Sequence, residues 1–114
     1  MNQGIRVFIC PVKDIARAKT LYSKLLGVEP YVDQAYCVGF KVGDQELGLD
    51  PNGHKAGMMG PVGYWHVDDL KKTLQSLLDD GAQIQQEIKD VGEGKLIASI
   101  KDADGNIIGL IQSA

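Results

Sequence analysis

The feature that most constrains this chain is that its pattern is written twice. Val12-Lys13-Asp14-Ile15 is matched 55 residues on by Val67-Asp68-Asp69-Leu70, and Gly48-Leu49 is matched 61 residues on by Gly109-Leu110. Each copy reads as a strand, a helix and three further strands. In the first, IRVFICPV from Ile5 is rich in β-branched residues and Asp14 is placed to cap a helix. Ile15, Ala18, Leu21, Tyr22 and Leu25 then recur at helical spacing, and Gly27 stands where a C-cap glycine belongs. Strand signals follow at residues 29–33, in AYCVGFKV and in QELGL; Tyr36, Val38, Phe40 and Val42 alternate with Cys37, Gly39 and Lys41.

The second copy has the strand VGYWHV, a cap at Asp68 or Asp69, and a helical stripe of Leu70, Leu74, Leu77 and Leu78 that stops near Gly81. Strand signals return in AQIQQEI, KLIASI and NIIGLIQ, with DADGN before the last reading as a turn. The six extra residues of this copy fall between its helix and its last strand. A repeat of this size makes each copy one supersecondary unit that buries its open face against its twin. The expected fold class is therefore α+β: two βαβββ modules, about residues 4–52 and 60–113, forming one domain over 1–114 with a curled, mixed β-sheet and two outer helices. Between the modules, PNGHKAGMMGP at about 51–61 reads as a linker. Met58 and Met59 in it serve either as an apolar latch or as part of a ligand-facing wall.

Composition narrows the class. With 44% hydrophobic and 24% charged residues the chain is an ordinary globular one. A net charge of −3 and no cluster of Lys or Arg argue against nucleic acid or an anionic membrane as partner. Cys10 and Cys37 sit in apolar strand-like runs without zinc-like spacing and read as reduced core thiols. There is no signal-peptide pattern and no run near the ~20 apolar residues of a membrane span, so a cytoplasmic location is the expectation.

VKDIARAKTLYSKLLGVEP in the first copy, with VDDLKKTLQSLL and KDADGNIIGL in the second, resembles the vicinal oxygen chelate superfamily. That superfamily includes glyoxalase I, extradiol dioxygenases and the fosfomycin- and bleomycin-resistance proteins. In its metalloenzymes a divalent metal is held by residues of the first and last strands of each module, usually His and Glu. Carried onto this chain, the ligand positions are Val7, Gly48, Val62 and Gly109. None offers a donor side chain, whereas a catalytic metal site needs about three oxygen or nitrogen ligands from protein. The resemblance thus points to the metal-free, ligand-binding members, with no metal and no cofactor.

Alternation from those anchors gives the expected cavity lining. Val7 brings Ile9 with it, Gly48 is flanked by Glu46 and Asp50, Val62 brings Tyr64 and His66, and Gly109 brings Ile107 and Ile111. Trp65 turns to the helix side. An apolar floor with a few polar fixings suits a small organic ligand. His66 reads either as a general base or as a strand histidine hydrogen-bonded to a neighbour; no catalytic partner for it is identifiable. Tyr64 reads equally as a stacking surface or as core.

Three functions follow, the last an interaction or regulatory module with no small-molecule role. One is metal-independent binding of a small apolar or aromatic compound. The alternative is an enzyme of the superfamily, with a substituted metal site or a metal-free acid–base mechanism using His66. Under each reading the resemblance implies a homodimer.

Overall fold

The computed structural model describes residues 2–114. Element order is β1 (Asn2–Pro11), α1 (Ile15–Leu26), β2 (Val32–Gln34), β3 (Cys37–Val42), β4 (Gln45–Asp50), β5 (Val62–Val67), α2 (Leu70–Asp79), β6 (Gln83–Asp90), β7 (Leu96–Lys101) and β8 (Ile107–Gln112). This is the expected strand–helix–three-strand order, twice, and the class is α+β. No helix is long and apolar enough to cross a membrane.

Contacts divide the chain into two compact units. The first is Arg6–Val62; the second is residues 63–114 together with residues 2–5 of β1. In the first unit the strand order is β2-β3-β4-β1, with β1 and β4 parallel and the other pairs antiparallel. The second unit repeats this as β6-β7-β8-β5, with β5 and β8 parallel. A parallel pair cannot be closed by a hairpin, which is why each unit must send its chain through a helix and two strands before the last strand can join the first.

Each helix starts on an aspartate whose carboxylate accepts from the backbone N–H three residues on: Asp14 from Arg17, Asp69 from Lys72. Gly27 ends α1 in the left-handed conformation (φ 71°) and donates its N–H to the Ser23 carbonyl. The free N–H of Leu70 at the start of α2 donates to Gln112 Oε1 of β8 at 2.8 Å, which fixes the helix to the last strand.

The cores lie between each helix and its sheet. In the second unit Val67, Leu70, Leu74, Ala98, Ile100 and Leu110 are buried, with Leu77 and Leu78 packed against them, so the whole expected stripe of α2 is used. In the first unit Cys10, Val38, Phe40 and Leu49 are buried beneath Ile15, Ala18, Tyr22 and Leu26. Here the structure corrects the expected stripe: Leu21 and Leu25 are 64% and 72% exposed. At 100° per residue Leu21 and Leu25 stand beside the 15-18-22-26 series, on the flank of the face that it forms. Trp65 shares a rung with core residue Leu110 yet remains 37% exposed. The linker folds Met58 inward, its sulfur 3.0 Å from where a Cβ on Gly53 would stand, while Met59 is 93% exposed. Of the two readings of this pair, the latch describes Met58.

Two substitutions check this account by urea denaturation. Phe40→Ala, at a fully buried site, is expected to cost about 3–5 kcal/mol. Asp69→Ala removes one cap and is expected to cost about 1 kcal/mol.

Candidate functional site

In each unit the sheet face turned away from the helix carries the residues that the sequence singled out. In the first unit the register pairs Val7 with Glu46 and Ile9 with Gly48 across β1 and β4. Across β4 and β3 it pairs Glu46 with Lys41 and Gly48 with Gly39. One rung is thus Val7–Glu46–Lys41, and the next is Ile9–Gly48–Gly39. In the second unit Tyr64 pairs with Gly109, and His66 with Ile111, across β5 and β8; Ser99 of β7 stands on the other side of Gly109. Val7, Val62 and Tyr64 are buried, Gly109 is buried, and Ile9, Glu46, Gly48, His66 and Ile107 are half-buried. Within each unit, then, the expected residues share one face.

The glycines do not open the space that their size suggests. A Cβ on Gly48 would lie 2.7 Å from Ile9 Cδ1, and one on Gly109 would lie 2.6 Å from Cγ and Cδ2 of Tyr64. Gly39 repeats the arrangement more loosely, with Tyr31 Cε1 at 3.1 Å. In every case the neighbouring side chain leans over the glycine and fills the place of the missing one. A side chain at Gly48 would need Ile9 to change rotamer, and one at Gly109 would need the Tyr64 ring to leave. The residues present therefore do not fit a divalent metal of the superfamily type. Two of the carried-over positions are valines, and the other two are glycines already covered by hydrocarbon. Among the described residues no three His, Cys, Asp or Glu side chains form a possible metal cluster.

The first unit adds groups that sequence reasoning did not place in the site. Lys41 Nζ lies 4.4 Å from the centroid of the Tyr31 ring and 3.8 Å from Glu46 Oε1. Tyr31 is half exposed, its backbone N–H held by the Gly39 carbonyl at 2.9 Å. Burial pushes its phenol up, reinforced by Glu46 and by Cys37, so at neutral pH it is a hydrogen-bond donor. Burial also raises the Cys37 thiol, with the Asp50 carboxylate adding to the effect. Asp50 itself is engaged, accepting from Asn52 N at 2.8 Å to start the linker turn. The alternation of AYCVGFKV held the signal for Lys41, because it sets Cys37, Gly39 and Lys41 on the face opposite Val38 and Phe40. Tyr31 precedes its strand, and no periodicity reaches it.

Chemically, this face offers an aromatic ring, an ammonium, a carboxylate and a phenol O–H around Ile9 and Val7. Such a surface can hold an organic molecule by stacking and directed hydrogen bonds. On the opposite, helix-facing side of the same unit, an apolar recess of about 280 Å³ is lined by Phe8, Cys10, Leu26, Phe40, Val42 and Leu47 among others. Cys10 there is buried and its thiol raised, burial outweighing the hydrogen bond from Tyr22. Both cysteines are free.

The family model for the Glyoxalase/Bleomycin resistance protein/Dioxygenase superfamily matches residues 4–110. The chain belongs to this superfamily. Solved structures agree on the fold. A methylmalonyl-CoA epimerase from Mycobacterium tuberculosis is 19% identical with a TM-score of 0.72, covering 99% of this chain and 89% of its own. A glyoxalase/bleomycin resistance protein/dioxygenase superfamily member from Vibrio splendidus 12B01 is 16% identical with a TM-score of 0.72, covering all of both chains. A Legionella pneumophila protein described as an NAD-dependent benzaldehyde dehydrogenase is 16% identical with a TM-score of 0.73, covering 95% of this chain and 98% of its own. At these identities the likeness is one of fold, and the superfamily fold carries unrelated activities. No curated protein matches the chain.

Two measurements check the site. Gly109→Ala is expected to destabilise by about 1–3 kcal/mol, because relieving a contact with Cγ of Tyr64 means swinging the whole buried ring to another χ1 rotamer. Gly48→Ala should cost less, about 0.5–1.5 kcal/mol, since Ile9 Cδ1 is a chain end that can change rotamer. The raised thiols and phenol also fix a pH dependence. Their protons are held more tightly in the folded state, so the stabilisation is complete below the ordinary values of 9.0 and 10.0 and is lost as pH rises through the higher folded values. Urea midpoints should therefore fall between pH 8 and pH 11, and Cys37→Ser should flatten the slope.

Proposed function

We propose that the protein is a metal-independent small-molecule binding protein of its superfamily, taking an apolar or aromatic compound on the open face of the first unit. The observation that supports this most is the covering of Gly48 by Ile9 and of Gly109 by Tyr64, which puts hydrocarbon where the superfamily's metalloenzymes hold carboxylates. Tyr31, Lys41 and Glu46 supply the polar fixings beside Ile9 and Val7. The ligand needs a planar apolar body for the Tyr31 ring and an acceptor for Lys41 or the Tyr31 hydroxyl. Pairing with a second copy is part of the same reading, supported by the exposed apolar side chains of the first unit. A cytoplasmic location also belongs to it, as does the organisation of both units as a single domain.

A second reading rests on His66, half-buried on the open face of the second unit two residues along from the Tyr64–Gly109 rung. There an imidazole could serve as a metal-free acid–base group, and methylmalonyl-CoA, the substrate of an epimerase sharing this fold, is the probe to try first.

Thermal denaturation with bleomycin, a set of substituted aromatic acids, methylmalonyl-CoA, Zn²⁺, Ni²⁺, Mn²⁺ and EDTA separates the readings. An organic probe should raise the melting temperature while metals and EDTA leave it unchanged. Tyr31→Ala should then weaken that probe about tenfold, the loss of one aromatic contact. Stoichiometric metal binding would refute metal independence. Epimerisation of methylmalonyl-CoA that vanishes in a folded His66→Ala variant would establish the second reading.

A further inference from the structure

On the open face of the first unit the ladders set two carboxylates, Glu46 and Asp50 of β4, against one ammonium, Lys41 of β3, among the described residues. Asp33 of β2 belongs to the other face, on the rung of core residue Val38, where Lys19 of α1 takes it at 2.8 Å. Tyr31 and Cys37 reach the open face with their protons in place, because burial raises both the phenol and the thiol. Acid therefore exceeds base on this face, and Lys41 is its one counter-charge.

That counter-charge is loosely held. Lys41 Nζ lies 4.4 Å from the centroid of the Tyr31 ring and 3.8 Å from Glu46 Oε1, on a side chain that is 56% exposed. An exposed ion pair and an exposed cation on a ring each hold their cation weakly, and the lysine stem is flexible. What surrounds the ammonium is firmer. The Tyr31 ring lies over Gly39, where a Cβ would stand 3.1 Å from Cε1, and the Tyr31 N–H is held by the Gly39 carbonyl at 2.9 Å. The Glu46 side chain is only 27% exposed. The chain's own ammonium thus stands in a receptor made of an aromatic ring and a sheltered carboxylate, the two groups that hold an organic cation.

We propose that the ligand of this face is an organic cation, a protonated or quaternary amine on a planar apolar body, and that Lys41 holds its place until the ligand displaces it. The proposal rests on the binding reading above and names the charge of the compound. Displacement is what makes charge decisive. A neutral or anionic compound that stacks on Tyr31 turns the ammonium out and leaves Glu46 without a counter-charge. A cationic one restores both contacts as Lys41 goes to solvent, with its planar body against the rest of the ring and Ile9. The Tyr31 hydroxyl then donates to an acceptor on the ligand.

Isothermal titration calorimetry on the full chain tests this with three probes that share one body and differ in charge: naphthylmethylamine, naphthylmethanol and naphthoate. At neutral pH the amine is expected to bind about tenfold tighter than the carboxylate, with the alcohol between them. Glu46→Gln should weaken the amine about tenfold. Lys41→Met removes the competing ammonium and keeps the stem, so it should tighten the amine about three- to tenfold. Were Lys41 a fixing for the ligand, the same substitution would weaken binding. Far-UV circular dichroism checks that both variants keep the fold. A carboxylate that binds as tightly as the amine, or a Lys41→Met variant that binds the amine less tightly, overturns this inference and keeps the binding reading. Amine binding indifferent to both substitutions overturns the site. Failure of all three probes to bind at millimolar concentration overturns the binding reading along with it.

Discussion

The parallel contact between the first and last strand of each unit is the constraint from which most of this structure follows. Because β1 lies beside β4 and β5 beside β8, Ile9 faces Gly48 and Tyr64 faces Gly109 at the same rung of the two copies. Side chains on adjacent strands stand about 5 Å apart, so a large residue beside a glycine can lean into the vacant place. The glycines are therefore half of a pairing and not a defect in the strand. The same parallel contact forces the crossover, and within each unit the crossover helix covers one face of the sheet and not the other.

That division sorts the residues. Helix-side positions are hydrocarbon and thiol, and burial holds the Cys10 proton in place. On the other face the first unit collects Tyr31, Cys37, Lys41, Glu46 and Asp50 over three rungs. The Lys41–Glu46 pair is exposed enough that its contribution to stability is small, about 0–1 kcal/mol. The second unit is more closed on that face, with Tyr64 and Ile111 buried and Ser99 the one buried polar residue beside Gly109 among the described residues.

The fold was legible because its punctuation is local. Asp14, Gly27 and Asp69 act within one turn of their own position, and a repeat of such signals leaves little freedom in the order of elements. The second helix could be read in full because all four leucines of its stripe serve the core. The first could not, because period alone does not distinguish Leu21 and Leu25, which stand on the flank, from Tyr22 and Leu26, which stand on the sheet. The open-face residues were legible from alternation alone, but the filling of the glycines was not. Whether Ile9 covers Gly48 depends on one rotamer of a residue some 40 positions away, and sequence spacing contains no rotamers. Tyr31 was missed for a related reason: it reaches the face from a loop.

The two copies also allow shared structure to be separated from acquired structure without any other protein for comparison. Where they agree, as at Asp14 and Asp69 or Gly48 and Gly109, the residue serves the repeat. Where they diverge, the two copies pack differently: Ile9 against Tyr64, and Lys19, ion-paired with Asp33, against the core residue Leu74. The glycines hold a particular place in this scheme. Each is shared by both copies, yet each is covered by a different kind of side chain, aliphatic in one and aromatic in the other. Two unlike side chains thus reach the same end, each standing where a side chain on the glycine would be. Restoring a carboxylate at Gly109 would meet the Tyr64 ring at a contact closer than any Cβ tolerates, so the ring would have to change first. A change that needs a second change before it becomes tolerable is hard to reverse by single steps. Packing as well as residue type therefore fixes what position 109 can hold beside Tyr64.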